Sequence, residues 1–527
     1  MKLYRAFATV GGLTLVSRVL GFLRDIAFAW AFGSGMVADA FNVAFRFPNL
    51  FRRLFGEGAF NSAFIPLFAK ELEGGGRAEA RAFAEEAMSG LAAVIVALTI
   101  VAIVAMPWLM YLLAPGFNAT PEKFDLAVLL TRITFPYLLC MSLVALFSGV
   151  LNTFGKFVES SAVSIVLNVT LLAAIFIGFG IGFRNEPGGG VIQAIGVFVA
   201  GVLQLWLLIS GLRRNNFTLK LRRPRMTERM RRLITLGIPG VIAGGVTQLN
   251  IMIGTVIASQ EPGAVSQLYY ADRLYELPLA IVGIAIGVVL LPDVSRQLRA
   301  GNHAGVLDSQ NRSLEFAMLL TVPAAVALAV VPNPIVQVLF ERGAFAASDT
   351  ASTAAVLSVF ALGLPAFVMI KVFSPAYFAR EDTKTPMRYA VVSLIANTIG
   401  SVVLFFLFRR LGYLPHLGIA VATALGGWLN AGLLWVTLVR RGYFAIDGRM
   451  VRAFIAILLS SLIMGVALFA AARGLAPYFA ADRGFPVHAL ALVVLVGGGL
   501  AIYATAALAT GAIRPRQLRS LAKRGGG

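Results

Sequence analysis

The feature that most constrains this chain is the length of its uninterrupted apolar runs. Two of them, from Leu91 to Met106 and from Leu490 to Ala509, contain no charged residue, and about 20 such residues suffice for one helix to cross the hydrocarbon core of a bilayer. Hydrophobic residues make up 58% of the chain and charged residues only 13%, which leaves too little polar surface for a water-soluble fold. The sequence therefore predicts an all-α integral membrane protein, and the absence of ten-residue alternating segments argues against a transmembrane barrel.

Apolar runs bounded by charges or by Gly and Pro predict about fourteen transmembrane helices. Their approximate limits are 7–33, 37–68, 84–114, 124–154, 157–182, 190–212, 230–258, 265–295, 314–341, 350–378, 386–408, 415–439, 451–473 and 486–511. Arg18, Arg24 and Asp25 lie inside the first run and argue against a cleavable signal peptide there.

The net charge of +20 indicates membrane topology rather than nucleic-acid binding. About 30 of the 45 Lys and Arg fall at the two ends of the chain and in the even-numbered loops, whereas about 7 fall in the odd-numbered loops. By the positive-inside rule, both termini are predicted to be cytoplasmic. The densest basic segment, from Arg213 to Arg232, contains nine basic residues and is predicted to be a cytoplasmic connector.

The connector separates two halves that share their spacing. Pro136 is followed 32 residues later by Asn168, and Pro365 is followed 32 residues later by Asn397. Six helices separate the matched spans, so the halves have the same orientation and form a parallel repeat. The predicted divisions are residues 1–213 for the first lobe (helices 1–6), 214–229 for the basic connector, 230–443 for the second lobe (helices 7–12), and 444–527 for two extra helices with a cytoplasmic tail.

Eight basic residues lie deep inside predicted spans: Arg18, Arg24, Arg46, Arg52, Arg53, Arg132, Arg273 and Lys371. Each costs roughly 2.5 to 3.5 kcal/mol at the bilayer centre unless it faces water, pairs with an acid or binds an anion. Internal pairing is one explanation. The acids at similar depth are Asp25, Asp39, Glu57, Asp272 and Glu276, which leaves a surplus of three positive charges and indicates an anionic ligand.

Span two carries a stripe of polar residues on one helical face. Spacings of 3, 4, 3 and 4 align Asp39, Asn42, Arg46, Asn49 and Arg53, and this alignment predicts a hydrated cavity beside the helix. Pro48 lies within the stripe and allows a bend there.

The second half supplies further charges. In span eight, Asp272 and Glu276 stack four residues apart with Arg273 between them, and in span ten Lys371 lies between Pro365 and Pro375. Because a guanidinium group donates two parallel hydrogen bonds to a phosphate, bases from spans one, two, eight and ten predict a central site for a phosphate or pyrophosphate carried on a lipid.

No residue pattern points to catalysis, a metal or a cofactor. Cys140 is the single cysteine, and His303, His416 and His488 are far apart in the sequence, so neither a thiolate site nor a histidine cluster is expected. A membrane enzyme acting on polyprenyl phosphates is an alternative that would need a metal-binding acidic pair or a catalytic histidine. The sequence favours a transporter without enzymatic activity.

Several longer motifs resemble the MurJ (MviN) family of lipid II flippases over nearly the whole chain. The motifs are S-R-V-L-G-F-L-R-D at 17–25, A-D-A-F-N-V-A-F-R-F-P-N-L-F-R-R-L at 38–54, G-E-G-A-F at 56–60, Y-Y-A-D-R-L-Y-E-L-P at 269–278, L-F-E-R-G-A-F at 339–345 and A-R-E-D-T-K-T-P at 379–386. Span five departs from the family pattern, because Ser160 and Ser164 stand where prolines are common.

The resemblance implies two six-helix lobes around a cationic cavity, with the last two helices forming a groove for a polyprenyl tail. It implies substrate binding by Arg18, Arg24, Arg52 and Arg273, with Lys371 as a cavity charge of the second lobe and Asp39 and Asn49 as supporting or gating groups. Together with the charge pattern, the predicted binding residues are Arg18, Arg24, Arg52, Arg273 and Lys371, and the predicted supporting or gating residues also include Arg46, Asp272 and Glu276. The expected activity is transfer of lipid II across the bacterial inner membrane by alternating access. The expected partners are lipid II and membrane lipids. Another lipid-linked oligosaccharide flippase and a multidrug exporter remain alternatives, and a coupling ion is left open.

Overall fold

The computed structural model describes residues 2–52, 59–183 and 185–513, with side chains throughout except at 2–8, 51–52, 59–60, 62, 239–247 and 284–289. Within these ranges every regular element is a helix, which confirms the predicted all-α class. Two are short 3-10 helices, Pro115–Ala119 and Ala476–Phe479. The α-helices are α1 (Lys2–Phe32), α2 (Met36–Arg52), α3 (Ala59–Val104), α4 (Met106–Leu113), α5 (Pro121–Thr134), α6 (Tyr137–Thr153), α7 (Phe157–Gly180), α8 (Pro187–Arg214), α9 (Glu228–Ala258), α10 (Ala264–Arg299), α11 (His303–Val330), α12 (Pro332–Phe340), α13 (Ala347–Phe378), α14 (Lys384–Arg410), α15 (Pro415–Arg440), α16 (Gly448–Gly474) and α17 (Phe485–Ala509).

Ten helical segments of the described chain are long and apolar enough to cross a membrane. They comprise most of α3, the continuous stretch of α5 and α6, and α7, α8, α11, α13, α14, α15, α16 and α17. The remaining predicted spans coincide with α1, with α2 and the first arm of α3 together (span 37–68), with α9 and with α10. Of these helices, α1, α2 and α10 carry the charged residues discussed above. The total of fourteen spans therefore stays a prediction.

The α3 segment is a hairpin of two helical arms joined at Gly76. Gly76 has a φ of 71° and a ψ of −169°, a conformation that L side chains rarely adopt. Phe64 and Phe83 stand on opposite sides of this break, and their ring centroids are 5.6 Å apart. In a straight helix, their 19-residue separation would place them roughly 28 Å apart. The two arms therefore fold back on each other, as spans two and three of the prediction require.

The chain divides into two compact units. Unit 1 comprises Met1–Ser266 with Arg342–Ala346, and unit 2 comprises Gln267–Glu341 with Ala347–Gly527. Helix α9 belongs to unit 1, where it packs on α3 and α4, although the sequence pattern places it in the second lobe. The lobe boundaries themselves stay a prediction.

Each unit repeats one packing pattern. In unit 1, α3 packs on α6, and α8 packs on both α6 and α7. In unit 2, α11 packs on α13, and α15 packs on both α13 and α14. The order of these contacts agrees with the predicted parallel repeat, and α16 and α17 pack on each other after it.

Candidate functional site

Arg24 and Asp25 form a buried ion pair on α1. The Nη2 atom of Arg24 lies 2.7 Å from Oδ1 of Asp25, and Nη1 donates to Oδ1 of Asn168 at 3.0 Å. Asn168, on α7, donates from Nδ2 to the carbonyl oxygen of Ser17 at 2.9 Å. Because its partners come from two packed helices, the guanidinium group is held in one orientation.

Arg18 differs from Arg24 although both lie on α1. It is exposed, on a stretch of helix where Leu15, Val16 and Val19 are also exposed. It makes no hydrogen bond or ion pair with the residues that the structure describes. A base at membrane depth needs water or an anion when no acid neutralises it, and Arg18 meets that condition among the described residues.

Asp39 is the centre of a fully buried polar node on α2. Its carboxylate lies 2.6 Å from Nζ of Lys123, at the start of α5. It also accepts hydrogen bonds from the backbone N–H of Gly263 at 2.9 Å, and from the backbone N–H and hydroxyl of Ser266 at 2.9 and 2.7 Å. Asp39 is 0% exposed. The node therefore ties α2 to α5 and to the turn that precedes α10.

The next members of the span-two stripe contact the same region of unit 1. Asn42 donates to the hydroxyl of Ser266 at 3.1 Å, and Arg46 donates to the hydroxyl of Thr255 near the end of α9. Asn49 is half-buried one turn further along α2. The stripe was expected to line an open cavity, but Asp39, Asn42 and Arg46 are packed against polypeptide. The reason is that Asp39 accepts from the free backbone N–H groups at the start of α10, whereas Asn42 and Arg46 donate to the hydroxyls of Ser266 and Thr255.

The structure does not describe the side chains of some predicted site residues. Arg52 is the last residue of α2, but its side chain is not described. Arg53 and Glu57 lie outside the described residues. Arg132, another of the eight deep bases, is exposed and donates from Nε to the carbonyl oxygen of Ile103 at 3.0 Å.

In unit 2, the charged cluster of α10 is internally paired. The Nη1 atom of Arg273 lies 3.0 Å from Oε2 of Glu276, one turn along the helix. The guanidinium carbon lies 4.8 Å from the ring centroid of Tyr269, in cation–π geometry. The Arg273 side chain keeps 28% of its surface exposed. Asp272, beside it in the sequence, is half-buried.

Lys371 projects from α13 past a glycine of α10. An ideal Cβ placed on Gly283 would lie 2.6 Å from Nζ of Lys371 and 2.9 Å from its Cδ. The absence of a side chain at Gly283 therefore makes room for the lysine stem. Lys371 itself is exposed, as a cavity-lining charge would be.

Internal pairing explains part of the predicted cationic set. It neutralises Arg24 through Asp25 and Arg273 through Glu276. Asp39 is paired with Lys123 rather than with an arginine. The bases of α1 and α2 lie in unit 1, and those of α10 and α13 lie in unit 2. Within the described ranges, no three His, Cys, Asp or Glu side chains are grouped as metal ligands would be.

Sequence reasoning missed the partners that complete these clusters. Lys123 follows Pro121 at the edge of a predicted span, where the sequence pattern indicates a loop charge. Asn168 was noted only as a marker of the repeat, although an amide within an apolar run is itself a signal of a buried hydrogen bond. Ser266 lies at a helix start, where a hydroxyl is ordinary.

The A-R-E-D-T-K-T-P motif forms a cap at the start of α14. Asp382 accepts from the backbone N–H and hydroxyl of Thr385 at 2.9 and 2.6 Å, and Nη1 of Arg441 lies 2.7 Å from its Oδ2. The hydrogen bonds from Thr385, with those from Arg441, lower the pKa of the Asp382 carboxyl to about 2. The motif therefore stabilises the turn between α13 and α14 and its contact with the end of α15.

The R-G-A segment of the L-F-E-R-G-A-F motif belongs to unit 1. The backbone N–H of Ala344 donates to the carbonyl oxygen of Trp30 at 2.9 Å, at the end of α1. Gly343 and Gly33 both have positive φ, 62° and 59°. A Cβ at Gly343 would overlap the Trp30 carbonyl, and one at Gly33 would overlap the Ala344 carbonyl. The close approach of these two backbones explains both glycines.

Long apolar helices with paired and unpaired charges at membrane depth define the class of this protein: a multi-pass helical membrane transporter. The family model described as "Lipid II flippase MurJ" matches residues 28–501. The chain belongs to the MurJ family, as the sequence motifs predicted.

Named relatives align over nearly their full length. A protein of Rhizobium tropici, "Probable lipid II flippase MurJ", is 44% identical over 526 residues, and the alignment includes 99% of this chain and 97% of the relative. "Lipid II flippase MurJ" of Burkholderia cenocepacia is 35% identical, with 88% of this chain and 89% of the relative aligned.

Solved structures give the same result for the fold. "Lipid II flippase MurJ, inward closed conformation" superposes with a TM-score of 0.77 and 27% identity, covering 94% of this chain and 97% of that one. A multidrug transporter of the MATE family superposes with a TM-score of 0.66 at 15% identity, covering 81% of this chain and 95% of that one. The second likeness concerns the fold alone.

Proposed function

We propose that this chain moves lipid II from the cytoplasmic to the outer face of the bacterial inner membrane by alternating access. The observation that carries the proposal is Arg18, an exposed base on α1 that no described acid neutralises, six residues from the oriented guanidinium of Arg24. An anionic headgroup attached to a lipid supplies the charge that such a base requires at membrane depth. Membership of the MurJ family supports the same substrate.

The ion pair at Arg24 supports a role in binding rather than excluding one. Asp25 and Asn168 hold the guanidinium in a fixed plane, and a fixed donor loses less conformational entropy when it binds a phosphate. We assign Arg18, Arg24, Arg52, Arg273 and Lys371 to binding of the headgroup. At Arg273, the substrate would compete with Glu276 for the guanidinium.

Asp39 is proposed as a gating group rather than as a ligand. Its two carboxylate oxygens are occupied by Lys123, Gly263 and Ser266, so it has no capacity left for substrate. The node lies where the chain passes from unit 1 into unit 2 along α10, so a movement of α10 relative to α2 would have to break it. Repeated making and breaking of such a node is a device for switching between two conformations.

The transport step needs no covalent chemistry. The headgroup would cross through the predicted cationic cavity while the polyprenyl tail stays in lipid beside α16 and α17, the two helices beyond the repeat. A potential of about 100 mV contributes roughly 2.3 kcal/mol per elementary charge moved, so the membrane potential can drive the step. We place both termini in the cytoplasm from the distribution of basic residues.

The test is rescue of a bacterial strain depleted of its own lipid II flippase. Lipid II on the outer face is scored by its cleavage with an externally added toxin. Wild type is expected to restore cleavage, Arg18→Gln and Arg273→Gln are expected to lose most of it, and Arg440→Gln, an exposed base at the end of α15, is expected to resemble wild type.

Each outcome is decisive when the amount of inserted protein is matched by immunoblotting. If wild type inserts and never exposes lipid II, the substrate assignment is wrong and another polyprenyl-linked saccharide becomes the leading alternative. If wild type rescues and both arginine variants do so equally well, the substrate assignment stands and the cationic site is wrong.

A further inference from the structure

Unit 1 contains an apolar groove that the transport proposal does not use. It has a volume of about 540 Å³, within the range of roughly 300 to 1,000 Å³ typical of ligand sites. It lies between the second arm of α3 and the first turns of α9, with the basic connector along one side. Its walls include Gly90, Leu91, Val94, Met230, Leu233 and Gly237.

The groove lies where both of its helices change from charged to apolar surface. On α3, Arg77 and Glu79 are exposed, whereas Val94 and Val101 further along the helix are 65% and 64% exposed. On α9, Arg231 and Arg232 are exposed and are followed by exposed Ile234, Leu236 and Ile238. This change on two neighbouring helices marks the boundary between the headgroup region and the hydrocarbon core.

The mouth of the groove is positively charged. Arg225 lines it directly and makes no ion pair with the described chain. Arg223 is exposed beside it, and Arg231 and Arg232 follow on α9, with Glu228 as the nearest exposed acid in the sequence. The connector is fixed in this position, because Glu85 of α3 pairs with Arg222 and Glu79 of α3 pairs with Arg229 at 2.8 Å. The bases of the rim therefore lie on a segment whose backbone is held against α3 by its neighbours.

We propose that this groove binds an anionic phospholipid of the surrounding leaflet, with one acyl chain between α3 and α9 and the phosphate at Arg225. An apolar slot beneath a basic rim matches the two parts of such a molecule. A basic rim at the membrane surface favours anionic over zwitterionic headgroups. The inference does not depend on the transported substrate.

The experiment uses the full-length protein in detergent with two photoactivatable lipids that carry a diazirine at the end of one acyl chain. One probe is phosphatidylglycerol and the other is phosphatidylcholine with identical chains. Adducts are located by peptide mass spectrometry and normalised to those on the exposed apolar surface of α17. Phosphatidylglycerol is expected to label residues 87–94 and 230–238 about fivefold more than phosphatidylcholine does.

Two variants test the contacts of the lipid headgroup and of the acyl chain separately, each with a matched control. Arg225→Gln is expected to lower labelling by phosphatidylglycerol about fivefold and to leave phosphatidylcholine unchanged, whereas Arg440→Gln changes neither. Gly237→Leu is expected to fill the groove and abolish labelling by both lipids. Its control is Gly432→Leu on α15, another helical glycine, where an added Cβ would have no neighbouring atom within 4 Å.

Equal labelling by the two lipids would overturn the headgroup assignment, because it would show that the groove contacts detergent and lipid molecules regardless of their headgroup. Adducts that avoid both segments would overturn the groove itself. Arg225 is exposed, so its substitution tests the rim even if Gly237→Leu does not fold. Unchanged labelling in Arg225→Gln would refute the proposed phosphate contact.

Discussion

Substituting Asp39 by Asn should destabilise unit 1 by about 3 to 5 kcal/mol, the usual cost of leaving one partner of a buried ion pair without the other. The amide oxygen can still accept from Ser266. The amide nitrogen, however, would face the backbone N–H of Gly263 and the ammonium group of Lys123, both of which are donors. The charge on Lys123, whose side chain is only 9% exposed, would then have no acid to neutralise it.

Cys140 provides the assay. It is the single cysteine of the chain and is buried in α6 of unit 1, so a thiol-reactive dye reports the unfolding of this unit during heating in detergent. For a domain of this size, each kcal/mol lowers the midpoint by roughly 2 to 4 °C, so Asp39→Asn should lower it by roughly 10 °C. Asp125→Asn, an exposed acid of α5, should shift it by less than about 2 °C.

The decisive variant removes both charges. In Asp39→Asn with Lys123→Met, no charge is left unpaired, and the methionine can still contact Phe117, over which the lysine lies at 4.2 Å. This double variant should recover most of the lost stability. The reasoning is refuted if the single variant is as stable as wild type, or if removing Lys123 makes it less stable still.

Three further outcomes test other parts of the chain. Asp382 has a pKa below its usual value, so its stabilisation is present above pH 4 and is lost as the pH falls from 4 toward 2. The stability difference between wild type and Asp382→Asn, about 1 kcal/mol at pH 7, should therefore shrink in acid when unfolding is followed by the loss of helical circular dichroism, and a constant difference would contradict the cap. Gly343→Ala should destabilise unit 1 by at least about 2 kcal/mol in the Cys140 assay. Its control, Gly155→Ala, has a positive φ but open space around the new Cβ and should destabilise unit 1 by only about 1 kcal/mol. Equal destabilisation by the two substitutions would refute the close backbone approach. Glu85→Gln should release the connector and speed tryptic cleavage after Arg222 about tenfold. An unchanged cleavage rate would show that the contact between Glu85 and Arg222 does not hold the connector in place.

The helices were predictable because bilayer thickness and apolar run length determine them almost alone. The hairpin of α3 followed from a charged, glycine-rich interval between two apolar runs. The buried pairings were harder to predict. Neighbours in a helix do not normally face each other, yet the long side chain of Arg24 reaches back to Asp25. The Asp39 node joins residues up to 227 positions apart, and periodicity within one helix contains no information about such partners.

That separation along the chain has a consequence for biogenesis. Asp39 enters the membrane early, but Gly263 and Ser266 are synthesised more than 220 residues later. At about 5 to 20 residues per second, the carboxylate waits roughly 10 to 45 s for its last hydrogen-bond donors. During that interval, Lys123 is the one node partner that can join it before α9 is made. The same ion pair that stabilises the finished protein is therefore expected to protect the nascent chain while translation is still under way.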